Sequence, residues 1–192
     1  MIALRERETT TSGGMGGAVS GASLSDPAVF DAFYTDALPV VYGYFLRRTG
    51  GSPALAEDLT QETFLAAVRQ IGKGTRVDAP MPWLIGIARH RLVDHYRVSA
   101  AEERRYRPID SDTVELADER DDFAMVLDRQ QAIAALDALP ASQRLAISLR
   151  YLDGLSVPEI ARELSKSVHA VESLLARGRA TFKQHYLEHG HE

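Results

Sequence analysis

Between residues 89 and 107 the chain sets six arginines (Arg89, Arg91, Arg97, Arg104, Arg105, Arg107) against three acids (Asp94, Glu102, Glu103), a net of +3. A second cationic stretch, residues 166–185, sets Lys166, Arg177, Arg179 and Lys183 against Glu172, again +3. Cations at this density suit phosphate: they neutralise a nucleic-acid backbone and release its counterions. Between the two lies the reverse, residues 108–128, with eight acids against Arg120 alone, a net of −7. The whole-chain charge of −5 argues against a nucleic-acid binder. The distribution overturns that reading, because salt screens charge beyond about 8–10 Å. Two basic segments can meet DNA while the acidic one stays clear of it. A third constellation is polar: Asp58, Gln61 and Glu62 stand three and four apart, so one helix can present them together. The same spacing also describes an ordinary solvated helix face.

Catalytic chemistry finds no recognisable set. His90 and His95 are five apart, a poor fit to one helix face for a metal, and His185, His189 and His191 crowd the terminus. No Gly-rich phosphate loop follows a strand. The chain has no cysteine, which excludes disulfides, thiolate zinc sites and a thiol nucleophile and suits a reducing cytoplasm. No apolar run approaches the roughly 18–20 residues that span a bilayer, and the N-terminus lacks the apolar core of a secretion signal. The expectation is a protein with no catalytic residues, no metal, no cofactor and no membrane insertion.

The elements that must position these side chains are helices. Residues 1–24 are rich in Gly, Ser and Thr and read as a disordered tail. Asp26-Pro27 is an N-cap followed by proline at the first helical position. Phe30, Phe33, Tyr34, Leu38, Val41, Tyr42 and Phe45 then recur at steps of three and four. Pro39 is expected to kink or split this helix, and Gly50-Gly51 to end it. Ser52-Pro53 opens a second helix with Leu55, Leu59, Phe64, Leu65 and Val68 as its buried side; Gly72 stops it. After a polar loop, Pro82 opens a third, with Leu84, Ile85, Ile87, Ala88, Leu92 and Val93 inside.

Residues 25–99 thus form one compact helical domain. The acidic stretch 100–122 reads as a linker whose residues 101–122 reach at most about 70 Å when extended. Residues 123–188 form a second domain. Its first helix runs through Met125, Val126, Leu127, Ile133, Leu136 and Leu139 to Pro140; its second covers about 141–152 and stops at Asp153-Gly154. Ser156-Val157-Pro158-Glu159 is a capping box with proline in the first turn. No segment alternates like a strand, so the fold class is all-α, two small helical domains.

Leu155 to Arg179 has the layout of a helix-turn-helix: a short capped helix, the turn Ser165-Lys166-Ser167, then a longer helix ending in cations. Such a second helix enters the major groove by its first turns. Ser167, His169, Ala170, Glu172 and Ser173 can approach base edges there. Arg177, Arg179 and Lys183 can hold phosphates, which fixes register and reads no sequence. For His169 alone, plain solvent exposure stands beside base contact as an equal reading.

The resemblance is specific at this point. Leu139 to Ala161 (LPASQRLAISLRYLDGLSVPEIA) and Val171 to Arg179 (VESLLARGR) are very similar to region 4 of extracytoplasmic-function (ECF, group IV) sigma factors of the sigma-70 family. Ala56 to Leu65 (AEDLTQETFL) resembles region 2.2, and Pro82 to Arg97 (PWLIGIARHRLVDHYR) resembles regions 2.3 to 2.4. The resemblance implies that Asp58, Gln61 and Glu62, with Phe64 and Leu65 nearby, dock on the beta-prime clamp of core RNA polymerase, and that the second domain meets the beta flap. It implies that the third helix reads the −10 element of promoter DNA, with Arg89, Arg91 and Arg97 on phosphates and His95 on the same helix. His90 stands where the family usually has asparagine, beside the pocket for an extruded base. Trp83 is either a stacking platform or a residue packed between helices. The −35 element falls to the last helix, with Glu172 and Leu174 where many relatives have cations. The acidic linker resembles the connector that passes through the polymerase, and reads equally as a solubilising spacer. An anti-sigma factor is a partner that such proteins commonly have, and the expected compartment is the cytoplasm, on the nucleoid. The rival is a stand-alone helix-turn-helix regulator that binds duplex DNA without polymerase.

Overall fold

The computed structural model describes residues 23–106 and 129–188. The tail through residue 22, the acidic stretch 107–128 with Met125, Val126 and Leu127, and the terminal His189 and His191 lie outside the described residues. Among the described residues there are seven α-helices, one π-helical turn and no strand. Helix α1 spans Pro27–Leu46, α2 Pro53–Gly72 and α3 Pro80–Tyr106; then come α4 Arg129–Asp137, α5 Ala141–Ile147, α6 Val157–Leu164 and α7 Val168–Glu188. None is long and apolar enough to cross a membrane.

The N-caps follow the local chemistry. Asp26 accepts from the Ala28 N–H at 2.9 Å, with Pro27 just inside α1. Ser52 accepts from the Leu55 N–H at 3.4 Å, with Pro53 behind it. Each side-chain oxygen satisfies a donor that the first helical turn leaves open. Helix α1 runs through Pro39 as one helix rather than splitting. Helix α2 buries Leu59 and Phe64 and packs Leu55 on the core, as expected, but not Leu65 and Val68. Ala56, Leu59, Thr60, Thr63 and Ala67 lie inside, whereas Leu65 and Val68 are 56% and 50% exposed. The inward set is the one spaced three and four apart, and its two hydroxyls bond back to Ala56 O and Leu59 O, at 2.6 and 2.7 Å. Helix α3 begins at Pro80, two residues before Pro82, and continues to Tyr106, so residues 100–106 extend the helix.

The second unit packs α5 and α6 on α7, with Leu139, Leu149, Ile160 and Val171 fully buried. The helix expected over 141–152 is α-helical only to Ile147. Residues Ser148–Leu152 form a π turn, closed by the Asp153 N–H on Ser148 O at 3.1 Å. The two units share one continuous buried cluster, because α3 packs on α1 and α2 and also on α5. Helix α7 approaches α5 closely at Gly178, where an added Cβ would stand 2.8 Å from Ile147 Cγ1.

Gly178→Val is expected to destabilise the chain by about 2 kcal/mol through overpacking. Ala180→Val, exposed on the same helix, is expected to stay within about 0.5 kcal/mol. Denaturant unfolding of the two variants measures both.

Candidate nucleic-acid interface

The three constellations of the sequence occupy three helices. On α2, Asp58, Gln61 and Glu62 are all exposed and Leu65 lies with them at the surface. Phe64 does not join them. It is 6% exposed, and its ring meets Tyr34 edge-on at 4.7 Å. Phe64 is therefore core, and it supports the surface patch from beneath.

Helix α3 carries Trp83, Arg89, His90, Arg91, His95 and Arg97. Trp83 is partly buried against the core and donates its indole N–H to Gln70 Oε1 at 3.3 Å. It ties α3 to α2, in line with the packed alternative. His90 is exposed, with Nδ1 2.7 Å from Gly86 O, which leaves Nε2 as the outward nitrogen. His95 is half-buried. Burial holds its imidazole below the ordinary histidine value, with Arg144 pushing the same way and Glu62 opposing. This direction favours the neutral imidazole. Arg91 is partly exposed.

Arg89 and Arg97 are engaged with the second unit. Arg89 Nε lies 3.4 Å from Asp153 Oδ2, an ion pair without an aligned hydrogen bond. Arg97 donates to Glu163 O at 2.8 Å and lies 3.4 Å from Ser165 Oγ, gripping the turn between α6 and α7. Its own-helix neighbour Asp94 is 3.8 Å away. Between α3 and α6 runs a cleft of about 500 Å³, which His90, Asp94 and Arg97 line from one side and Glu159, Arg162 and Glu163 from the other.

The helix-turn-helix is built as its sequence signals. Glu159 accepts from the Ser156 N–H at 2.8 Å and from its hydroxyl at 2.5 Å. These hydrogen bonds hold the Glu159 carboxyl below the usual range, with Arg162 and Arg89 adding to the effect. Ser165 sits in the left-handed region at φ 52°, which turns the chain sharply out of α6. Ser167 Oγ accepts from the Ala170 N–H at 3.2 Å, so this hydroxyl caps α7. The exposed side of the first turns carries His169 and Glu172, 4.0 Å apart, with Ala170 and Ser173 partly exposed. Arg177 and Arg179, both partly exposed, follow on the same helix, and Arg177 Nε lies 3.4 Å from Ser173 O.

The residues that sequence reasoning missed hold the units together. Arg48 reaches Asp153 with Nε at 3.0 Å and with Nη2; the two side chains are 5% and 3% exposed. Tyr44 donates its hydroxyl to the second oxygen of Asp153 at 3.1 Å, and the Arg48 guanidinium lies 3.7 Å above the Tyr44 ring. Burial and the Asp153 charge push the Tyr44 hydroxyl well above the ordinary phenol value, so it stays a donor. At the far end of α3, the Glu103 carboxylate accepts from the Ala141 N–H at 3.1 Å. Helix α5 has Pro140 before it and no capping side chain of its own; α3 supplies the cap. An added Cβ at Gly50 would collide with the Asp137 side chain, so the turn after α1 meets α4 at close range too.

Comparison with known proteins matches both units. The family profile Sigma-70 region 2 matches residues 33–102, and Sigma-70, region 4 matches residues 129–182. The chain is 37% identical over 171 residues to the ECF RNA polymerase sigma factor BldN of Streptomyces coelicolor, covering 85% of this chain and 62% of that protein's length. It is 33% identical over 134 residues to the ECF RNA polymerase sigma factor SigF of Caulobacter vibrioides, covering 70% of this chain and 72% of that one. Among solved structures it resembles the sigma factor RpoE of Bartonella quintana in complex with the anti-sigma factor NepR, with TM-score 0.50, 23% identity, and 82% of this chain and 96% of that chain covered. That last likeness is one of fold.

Phe64→Ala is expected to destabilise the chain by about 3 kcal/mol, whereas Leu65→Ala is expected to stay within about 0.5 kcal/mol. Thermal or denaturant unfolding distinguishes the buried residue from its exposed neighbour.

Proposed function

This chain belongs to the extracytoplasmic-function sigma factors of the sigma-70 family, and we propose from that membership that it lends promoter recognition to RNA polymerase. The observation that carries the reading is the pairing of two matched units, in the family's order, with distinct surfaces. The first presents an exposed Asp58–Gln61–Glu62 face on α2 and an arginine-rich α3; the second presents a capped helix-turn-helix. A stand-alone regulator needs only the second.

In this reading α2 docks on the clamp of the polymerase beta-prime subunit. Its carboxylates and amide meet a cationic surface, and Leu65 adds apolar area at the edge. The second unit docks α7 in the upstream major groove. Ser167 presents the N-terminus of α7 to the backbone; His169, Ala170, Glu172 and Ser173 face base edges; Arg177 and Arg179 hold phosphates. Glu172 suits a cytosine amino group. The second unit also contacts the beta flap.

The first unit then captures unpaired bases of the −10 element along α3. Arg89, Arg91 and Arg97 neutralise the strand, and His90 presents Nε2 to an extruded base. His95, half-buried, and Trp83, tied to Gln70, support the helix beneath the strand. Capture must offset unstacking, which costs a few kcal/mol per base. Melting and reading are then one event driven by binding energy. No bond in the chain or in DNA is made or broken by its side chains. The protein works in the cytoplasm, on the nucleoid.

Asp58→Arg combined with Gln61→Arg is expected to weaken association with core RNA polymerase at least tenfold. Circular dichroism should stay unchanged, since both side chains are exposed. Titration of labelled chain with core enzyme measures this. Unchanged affinity in a folded double variant removes α2 as the docking face. A wild-type chain that shifts duplex DNA and never associates with core enzyme removes the proposal.

A further inference from the structure

We propose that the chain free of polymerase is closed by an electrostatic latch centred on Asp153, which holds the second unit against the Arg89 and Arg97 side of α3. Closure itself stands on geometry alone; its regulatory meaning rests on the function proposed above.

Three observations carry it. The first is the buried cluster. Asp153 belongs to the second unit, yet its side chain's hydrogen-bond and ion-pair partners, Tyr44, Arg48 and Arg89, all belong to the first. At 3% exposure its carboxylate depends on them. Separation would return Asp153 and Arg48 to water, so the pair has a defined role only in the closed chain. The second is Arg97, which holds the turn of the helix-turn-helix through Glu163 O and Ser165 Oγ. The third is Glu103, which caps α5 from α3. Contacts therefore run along α3 from residue 89 to residue 103.

The consequence is competition. Arg89 and Arg97 are assigned to promoter phosphates, and in the closed chain both are committed to the second unit. Asp153 mimics a phosphate at Arg89, and the Glu163 carbonyl does so at Arg97. A DNA strand on α3 and the second unit on α3 exclude one another. Opening is thus a required step, and the free chain is held back from promoter DNA by its own second unit.

The absence of cysteine allows Glu102→Cys and Ala138→Cys to be spin-labelled without background. Both positions are exposed and flank the Glu103–Ala141 contact. Pulsed dipolar spectroscopy on the full chain is expected to give one short, narrow distance. Asp153→Asn keeps the shape and removes the charge, leaving Arg48 buried without a counter-ion. It is expected to raise the open-to-closed ratio at least about tenfold, seen as a long, broad distribution. Asp153→Lys, which sets like charge against Arg48 and Arg89, should open the chain further. Circular dichroism checks that each variant is folded. A wild-type chain that is already broad, or a folded Asp153→Asn chain with the wild-type distance, overturns the latch. Adding core polymerase to the labelled wild-type chain separates the two readings. Loss of the short distance supports both, whereas a latch that responds to Asp153→Asn but never to polymerase leaves closure standing and removes the transcription reading.

Discussion

A carboxylate whose side chain is 3% exposed must be paired, because the desolvation of an isolated ion costs several kcal/mol. Asp153 finds its partners across the boundary between the units. Arg48, itself buried, is fixed from the other side by the Tyr44 ring and the Tyr44 carbonyl. The cluster thus fixes where the π turn after α5 stands relative to the end of α1. From that anchor follow the passage of α3 between both units, the approach of α4 to Gly50, and the cleft in which α3 faces α6.

Helix α3 is consequently asked to do two things. Its apolar side, with Leu84, Ala88 and Leu92, is core. Its cationic side, proposed above to meet a promoter strand, meets the Asp153 carboxylate and the Glu163 carbonyl of the second unit. Arginine suits both tasks because its planar fork donates to carboxylate, carbonyl or phosphate oxygens with little change of geometry. A buried pair of this kind adds little net stability and much geometric definition. That is the balance expected of a contact that holds a particular arrangement, as the proposed latch requires.

Much of this was legible in the sequence. The caps at Asp26 and Ser52, the capping box at Ser156 and Glu159, the stop at Gly72 and the turn at Ser165 to Ser167 are local chemistry, and each appears where its residues signal it. The exposed Asp58–Gln61–Glu62 face follows from helical spacing. On α2 the expectation holds at Leu59 and Phe64 and misses at Leu65 and Val68, where Ala56, Thr60, Thr63 and Ala67 complete the buried side instead. Phe64 carries two expectations, core and docking face, and its burial settles the first, since one position along a helix from exposed Leu65 is a rotation of about 100°. Arg48 and Asp153 carried no signal at all. Each reads as an ordinary charged residue beside a glycine turn, and a pairing across 105 positions of chain has no local trace. The helix-turn-helix residues Ser167, His169 and Glu172 are exposed on α7, and Ala170, Ser173, Arg177 and Arg179 partly so, as a helical layout allows.

Run-off transcription with core RNA polymerase over a library of promoter templates is the decisive measurement, since it reports recognition by both units and strand opening together. Transcripts are expected only when the chain is added, from templates that share two spaced elements. Templates that bind the chain as duplex yet yield no transcript with core enzyme, across the whole library, would contradict this expectation.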